Sequence, residues 1–174
     1  GDQTSPAFLK ISPNNKIPAI IDRDNNMSLM ESGAILVYLA EKYGKFLPKD
    51  RIARAEVNEW LMWQMGGFGP ILGQAHHFLH FNPGKSDYAE ERFRSEVARL
   101  YGVLDRRLEG RDYICDDYSI VDMACWPWVS RYEWQQVNLT AYPNVRSWYQ
   151  RLLARDAVQK GYQVPKHMGK IPQG

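Results

Sequence analysis

The chain reads as a small α/β unit followed by an all-helical remainder, and three observations predict this. Strand-like runs are confined to residues 17–30, where Ala19-Ile20-Ile21 and Met27–Met30 flank the turn-forming cluster Asp22-Arg23-Asp24-Asn25-Asn26. From Arg51 onward, apolar residues recur only at helical spacing. Between the two lies Lys45-Phe46-Leu47-Pro48-Lys49-Asp50, a short linker containing a proline. The boundary is placed there, giving domains at residues 1–45 and 46–174.

Composition narrows the function classes. With 174 residues, 44% of them hydrophobic, the chain can build a real core. A net charge of +2 is too small for nucleic-acid binding on electrostatics alone, and no basic run is interleaved with aromatics. No stretch approaches the ~18 apolar residues of a membrane span. Gly1-Asp2-Gln3-Thr4-Ser5-Pro6 is not a signal peptide. Cys115 and Cys125 form neither a CxxC pair nor a metal spacing, which fits a reducing cytoplasm.

Taken in order, Pro6–Ile11 is predicted to be a short helix with Ser5 as N-cap and Pro6 at its first position. Ser12-Pro13 ends it, because a residue before proline avoids the helical region. The hairpin at 17–30 has Pro18 at its opening, where a missing N–H matters least. Ser32–Tyr43 is a helix with Ser32 as N-cap, a stripe of Ile35, Leu36, Leu39 and Tyr43, and Gly44 as its stop. A helix from Arg51 to about Met65 is interrupted by Gly66-Gly67-Phe68-Gly69-Pro70, which matches no phosphate-binding loop and reads as a kink or a close helix approach. Tyr88–Leu108 is the clearest helix, with Phe93, Val97, Leu100, Tyr101, Leu104 and Leu108 inward. Its arginines, 92, 94, 99, 106 and 107, alternate with acids and read as a solvated face. Ser119-Ile120-Val121-Asp122 is a capping box, which makes Asp122 structural rather than catalytic. Pro127 should kink the helix that follows. Pro143 starts another helix running through Leu153, and the Pro- and Gly-containing tail from Gln163 reads as loose.

Two stretches can carry chemistry. In the first, Ile17-Pro18 precedes Glu31-Ser32 at a helix start. A cis Ile17-Pro18 bond would turn the Ile17 backbone outward to pair with an extended ligand, although only about 5–6% of X–Pro bonds are cis and trans is the default. Ser32 can cap its own helix, or it can join the free N–H groups of the helix in holding an anion. In the second stretch, His76 and His80 stand one turn apart, but no third ligand has a recognisable spacing, so no metal is expected.

These residues resemble the glutathione transferase family. In that family a Lys-Ile/Val-Pro segment carries a cis proline, the residue before it pairs with the cysteinyl unit of glutathione, and a Glu/Gln-Ser pair holds the γ-glutamyl end. Lys16, Ile17, Pro18, Glu31 and Ser32 match those positions, and Gln3 resembles a glutamine that can touch the glycyl end. A solvent-facing side chain is the other reading of Gln3. The resemblance implies part of an α/β thioredoxin-like domain followed by an all-α helical-bundle domain. It also implies a strand–helix–strand unit ahead of Gly1, so the chain reads as truncated there. The residue that activates the glutathione sulfur is expected in that segment, and no catalytic residue is assigned within this sequence.

The run Gly69-Pro70-Ile71-Leu72-Gly73-Gln74-Ala75-His76-His77-Phe78, together with Trp126-Pro127-Trp128, resembles the Nu-class-like branch of bacterial glutathione-dependent disulfide-bond oxidoreductases. His76, His77, Phe78 and Trp128 are therefore expected to line a second-substrate cleft. The branch carries a ligand-binding arginine where this chain has Tyr132-Glu133-Trp134, and Arg131 is the expected substitute. The implied activity is glutathione-dependent reduction of small disulfides, with glutathione as co-substrate, a homodimeric assembly and no metal, nucleic-acid or membrane partner. Conjugation of glutathione to an electrophile is the first alternative, and a glutathione-binding regulatory protein is the second.

Overall fold

The computed structural model describes residues 1–166 and 169–174. A 3₁₀ turn, Asp2–Thr4, leads into α1 (Pro6–Leu9), where Ser5 Oγ accepts from Phe8 N at 3.2 Å and Pro6 stands at the first position. Strands β1 (Ala19–Asp22) and β2 (Met27–Met30) pair antiparallel in the register Ala19↔Met30 to Asp22↔Met27. The turn between them is closed by Asp22 and Asn25 carboxyl and amide oxygens, which accept backbone N–H groups two residues on, at 3.0 Å each.

Helix α2 (Ser32–Tyr43) ends at Gly44, whose φ of +61° suits a residue without Cβ. Its beginning differs from expectation. Glu31, not Ser32, is the N-cap, because the Glu31 carbonyl already accepts from Ile35 N at 2.9 Å. The apolar stripe is also narrower than its period suggested: Ile35 is buried, whereas Tyr43 is 65% exposed. The other face of α2 rests on α6 (Ile120–Val129), and Ile120 N donates to Phe46 O at 3.1 Å.

Asp50 caps α3 (Arg51–Trp63) by accepting from Ile52 N and Ala53 N. The glycine run after it does not break the helix. The chain continues through a π turn (Gln64–Phe68), α4 (Gly69–Ala75) and a second π turn (His76–Phe81). The glycine at 69 serves a close approach, as expected: a Cβ there would lie 3.1 Å from Trp128 Nε1.

Helix α5 (Asp87–Arg107) packs on α4 and on α7 (Pro143–Leu153), and α3 packs on α6. A short α8 (Asp156–Gly161) follows. Trp148, Tyr101 and Tyr149 are fully buried among these helices. Four of the α5 arginines keep to the outer face, but Arg107 turns inward. It pairs with Glu56, donates to Ile114 O at 2.6 Å and lies over the Trp60 ring. The capping box forms as the sequence predicts, with Asp122 Oδ2 accepting from Ser119 N at 2.9 Å. Asp122 is fully buried and also receives Trp148 Nε1 at 2.8 Å and Ile114 N at 3.1 Å. Burial pushes its carboxyl above the usual range, and these donors pull the other way.

The end of the tail is not loose. Ile171 is buried, and Tyr149 donates its hydroxyl to Pro172 O at 2.7 Å. His167 and Met168 lie outside the described residues.

Candidate functional site

The hairpin register decides which residues meet at its open end. Because Ala19 pairs with Met30, Pro18 comes level with Glu31, and Lys16, Ile17, Pro18, Glu31 and Ser32 gather there. The Ile17–Pro18 bond is cis. Ser12 Oγ donates to Lys16 O at 2.8 Å and steadies the loop that leads in. Ile17 is 78% exposed and lies outside the ladder. Glu31 is exposed, with φ at +70°, and Asn14 Nδ2 reaches its Oε1 at 3.3 Å. No side chain caps α2, so its first N–H groups stay available. Gln3 stands exposed in the turn Asp2–Thr4, outside the hairpin end.

This end abuts the first π turn. Ser32 Oγ contacts Met65 Sδ at 3.6 Å, and a Cβ on Gly33 would sit 3.1 Å from Met65 Cγ. Along the same helical run, the Trp128 indole lies across Gly69 and Gly73. About three turns beyond Met65 an aromatic cluster forms. The His76 ring meets Trp128 at 5.7 Å and Trp134 at 5.4 Å, between centroids. His80 stacks on Trp134 at 4.5 Å, and the Arg131 guanidinium lies 4.7 Å from the same indole.

The five residues expected to line one cleft therefore separate. His76, Trp128 and Arg131 share the cluster. His77 instead packs edge-on against Phe78, and Asn82 donates to its carbonyl at 3.1 Å. Phe78 stacks on Phe93 of α5 at 5.4 Å. The sequence marks Trp134 only as part of the place where the branch's arginine is missing, and it gives Gln135 no role. They arrive on a 3₁₀ turn, Tyr132–Gln135, far along the chain from His76, and no local spacing announces them. His80 was weighed only as a metal ligand. Among the described residues no group of side chains could hold a metal ion, and no helix is long and apolar enough to cross a membrane.

His76 is half-buried, and burial is the main reason its pKa falls from the ordinary histidine value to about 4; the charges of His80 and Arg131 act in the same direction. It is uncharged at neutral pH. The cysteines are poor nucleophiles. Cys125 is fully buried and its thiol pushed well up, and burial pushes Cys115 up to about 11.

Residues 1–41 match the family model for the glutathione S-transferase N-terminal domain, and residues 68–156 match that for the C-terminal domain. The chain is also 50% identical over 163 residues to the disulfide-bond oxidoreductase YfcG of Escherichia coli, covering 90% of this chain and 76% of that protein. The chain belongs to the glutathione S-transferase family. Its architecture is the glutathione transferase fold, with part of the thioredoxin-like unit at residues 1–41 and the helical part after it. Among solved structures, a glutathione transferase from Pseudomonas putida, with one glutathione disulfide bound per subunit, superposes with a TM-score of 0.88 at 43% identity, covering 94% of this chain and 76% of that one. One from Burkholderia graminis, with two glutathione molecules per subunit, superposes with a TM-score of 0.87 at 41% identity, covering 97% and 75%.

Proposed function

We propose that this glutathione transferase is a glutathione-dependent thiol–disulfide oxidoreductase acting on small disulfides. The observation that carries this reading is the placement of an uncapped helix start and an exposed Glu31 at one end of a helical run, with an aromatic, histidine-containing cluster further along it. The kinship with YfcG and with a homologue that holds glutathione disulfide supports it.

In this reading the Ile17 backbone pairs with the cysteinyl unit of glutathione, and Lys16 and Pro18 shape that segment. Glu31 pairs with the ligand ammonium, while Ser32 and the N-terminus of α2 take the γ-glutamyl carboxylate. Gln3 serves the glycyl end. His76, Trp128 and Arg131, joined by Trp134 and His80, receive the second ligand. The bound glutathione thiolate attacks one sulfur of the substrate disulfide. A mixed disulfide forms as the S–S bond breaks, and the other half leaves as a thiolate that takes up a proton. A second glutathione thiolate then attacks the glutathione sulfur of the mixed disulfide, giving glutathione disulfide and a second thiol. No protein cysteine takes part, in keeping with the raised thiol pKa values of Cys115 and Cys125. Residues 1–45 form the glutathione-holding domain and residues 46–174 the helical one, in a cytoplasmic homodimer.

The test is turnover by the full-length protein of 2-hydroxyethyl disulfide with glutathione, run beside conjugation of a chlorinated aromatic. Disulfide turnover above conjugation is expected. Conjugation alone would replace this reading with that of a transferase for carbon electrophiles, which the aromatic lining of the cluster would also suit. Glutathione binding with neither reaction would leave a regulatory protein.

A further inference from the structure

Gln135 is almost wholly buried and stands at the centre of a hydrogen-bond network that leaves no freedom in its donors and acceptors. Its Nε2 lies 2.8 Å from Trp128 O, which can only accept, so the amide nitrogen must face that carbonyl. The orientation agrees with the other side of the amide, where the fully buried Tyr101 donates its hydroxyl to Gln135 Oε1 at 2.6 Å. The same Nε2 lies 3.0 Å from His76 Nε2. An amide NH₂ has two protons and no acceptor. One goes to Trp128 O, so the other points at the imidazole, and His76 Nε2 must accept it. A ring whose Nε2 accepts carries its proton on Nδ1, and Nδ1 has no hydrogen-bond partner among the described residues. Protonating Nε2 would set two donors against each other at this distance.

We propose that Gln135 is a positioning residue that fixes His76 as the neutral, Nδ1-protonated imidazole, and that His76 thereby becomes a fixed hydrogen-bond donor selecting disulfides whose substituents carry a carboxylate or carbonyl. Arg131, packed over the neighbouring Trp134, supplies the positive charge that such a substituent needs, while His76 supplies a directed N–H. A simple alkyl disulfide offers neither group a partner and would leave the donor unpaired when water is displaced from the cluster. The selection rests on the disulfide reading above, whereas the tautomer does not.

Two measurements on the full-length protein separate these. First, a nitrogen-15 imidazole spectrum at pH 7 is expected to place the His76 proton on Nδ1; a proton on Nε2, or on both nitrogens, overturns the proposal. Second, glutathione-dependent reduction is compared for 3,3′-dithiodipropionate and diethyl disulfide. His76→Phe should raise KM for the dicarboxylate about tenfold, the effect of one charge-assisted hydrogen bond. It should leave kcat for that substrate little changed. KM for the diethyl compound should change by a much smaller factor, so the ratio of the two KM values is the readout. His76→Asn, whose amide nitrogen can stand near the Nδ1 position, should restore most of the selection and guards against a folding defect in the phenylalanine variant. Equal KM changes for both disulfides would show His76 to be packing alone. If the wild-type protein reduces neither disulfide, the disulfide reading falls and the selection with it, while the spectrum still decides the tautomer.

Discussion

Two helix starts in this molecule use nearly the same residues to opposite ends. At α6, Ser119 and Asp122 close a capping box, and Asp122 spends its oxygens on Ser119 N, Ile114 N and Trp148 Nε1 inside the core. At α2, the acid comes one residue before the serine instead of three after it. Glu31 does not fold back onto its own helix; its exposed carboxylate accepts from Asn14 Nδ2, and the first N–H groups of α2 are left without a side-chain cap. A helix start that satisfies itself is a structural joint. One that does not is open to an anionic partner. The order of two residue types, rather than their presence, separates a closed helix start from an open one.

The comparison breaks most visibly at Asp122. Asp122→Ala strands three buried N–H donors, and at about 1 kcal/mol or more for each orphan it should cost about 3 kcal/mol of stability, read by urea unfolding. Glutathione affinity per folded molecule should not change. Glu31→Ala should do the reverse. It should weaken glutathione binding at least tenfold, about 1.4 kcal/mol, by calorimetry, while unfolding stability moves by less than about 0.5 kcal/mol. Unchanged affinity would remove Glu31 from the ligand site. Ser119→Ala should cost about 1 kcal/mol as the loss of an N-cap; a similar stability loss from Ser32→Ala would erase the contrast between the two helix starts.

Acid sharpens the contrast further. The Lys42 hydrogen bond, followed by that of Tyr38, holds Asp22 down at about 2 against an ordinary 3.8. The folded state therefore keeps this carboxylate ionised where the unfolded chain takes up a proton. The Asp22 contribution is complete above pH 3.8 and is lost as pH falls from 3.8 to 2. Asp122 has the opposite sign, because its folded pKa is raised and its protonation favours the folded state. An Asp22→Asn variant should show a flatter fall in stability through that window than the wild type. An unchanged slope would mean that Lys42 does not tie the hairpin to α2.

Much of this was legible because it is local. Pro6 after Ser5, Asp50 before α3, the Ser119–Asp122 box, and Pro143 at the head of α7 all act within one helical turn, and the hairpin is written in the Asp/Asn cluster at its tip. That Lys16, Ile17, Pro18, Glu31 and Ser32 gather at one end follows from the strand register. The arrangements that no local pattern announces share a different cause. Ser32 is not a cap because Glu31 adopts a positive φ, which no neighbour signals. His77 and Phe78 leave the His76 cluster because their partners, Asn82 and Phe93, come from the following loop and from α5. Gln135 and Trp134 reach His76 from a distant 3₁₀ turn, and Ile171 is buried by residues of the helical core that precede it by many turns. Such pairings are written in the tertiary fold and not in any window of sequence.

The helical run from α3 through the second π turn meets the hairpin end near Met65, while Gly69, Gly73 and His76 serve Trp128 and its neighbours. In the proposed reading, the grip on glutathione and the shape presented to the second substrate thus depend on different turns of one rod. A methyl group gained at Gly69 would press on the Trp128 indole at 3.1 Å from its Nε1, whereas one at Gly73 would meet the far edge of the ring in ordinary contact at 3.5 Å. On that same reading, a change along the rod near Trp128 would alter which second substrate is accepted while leaving the glutathione end as it is.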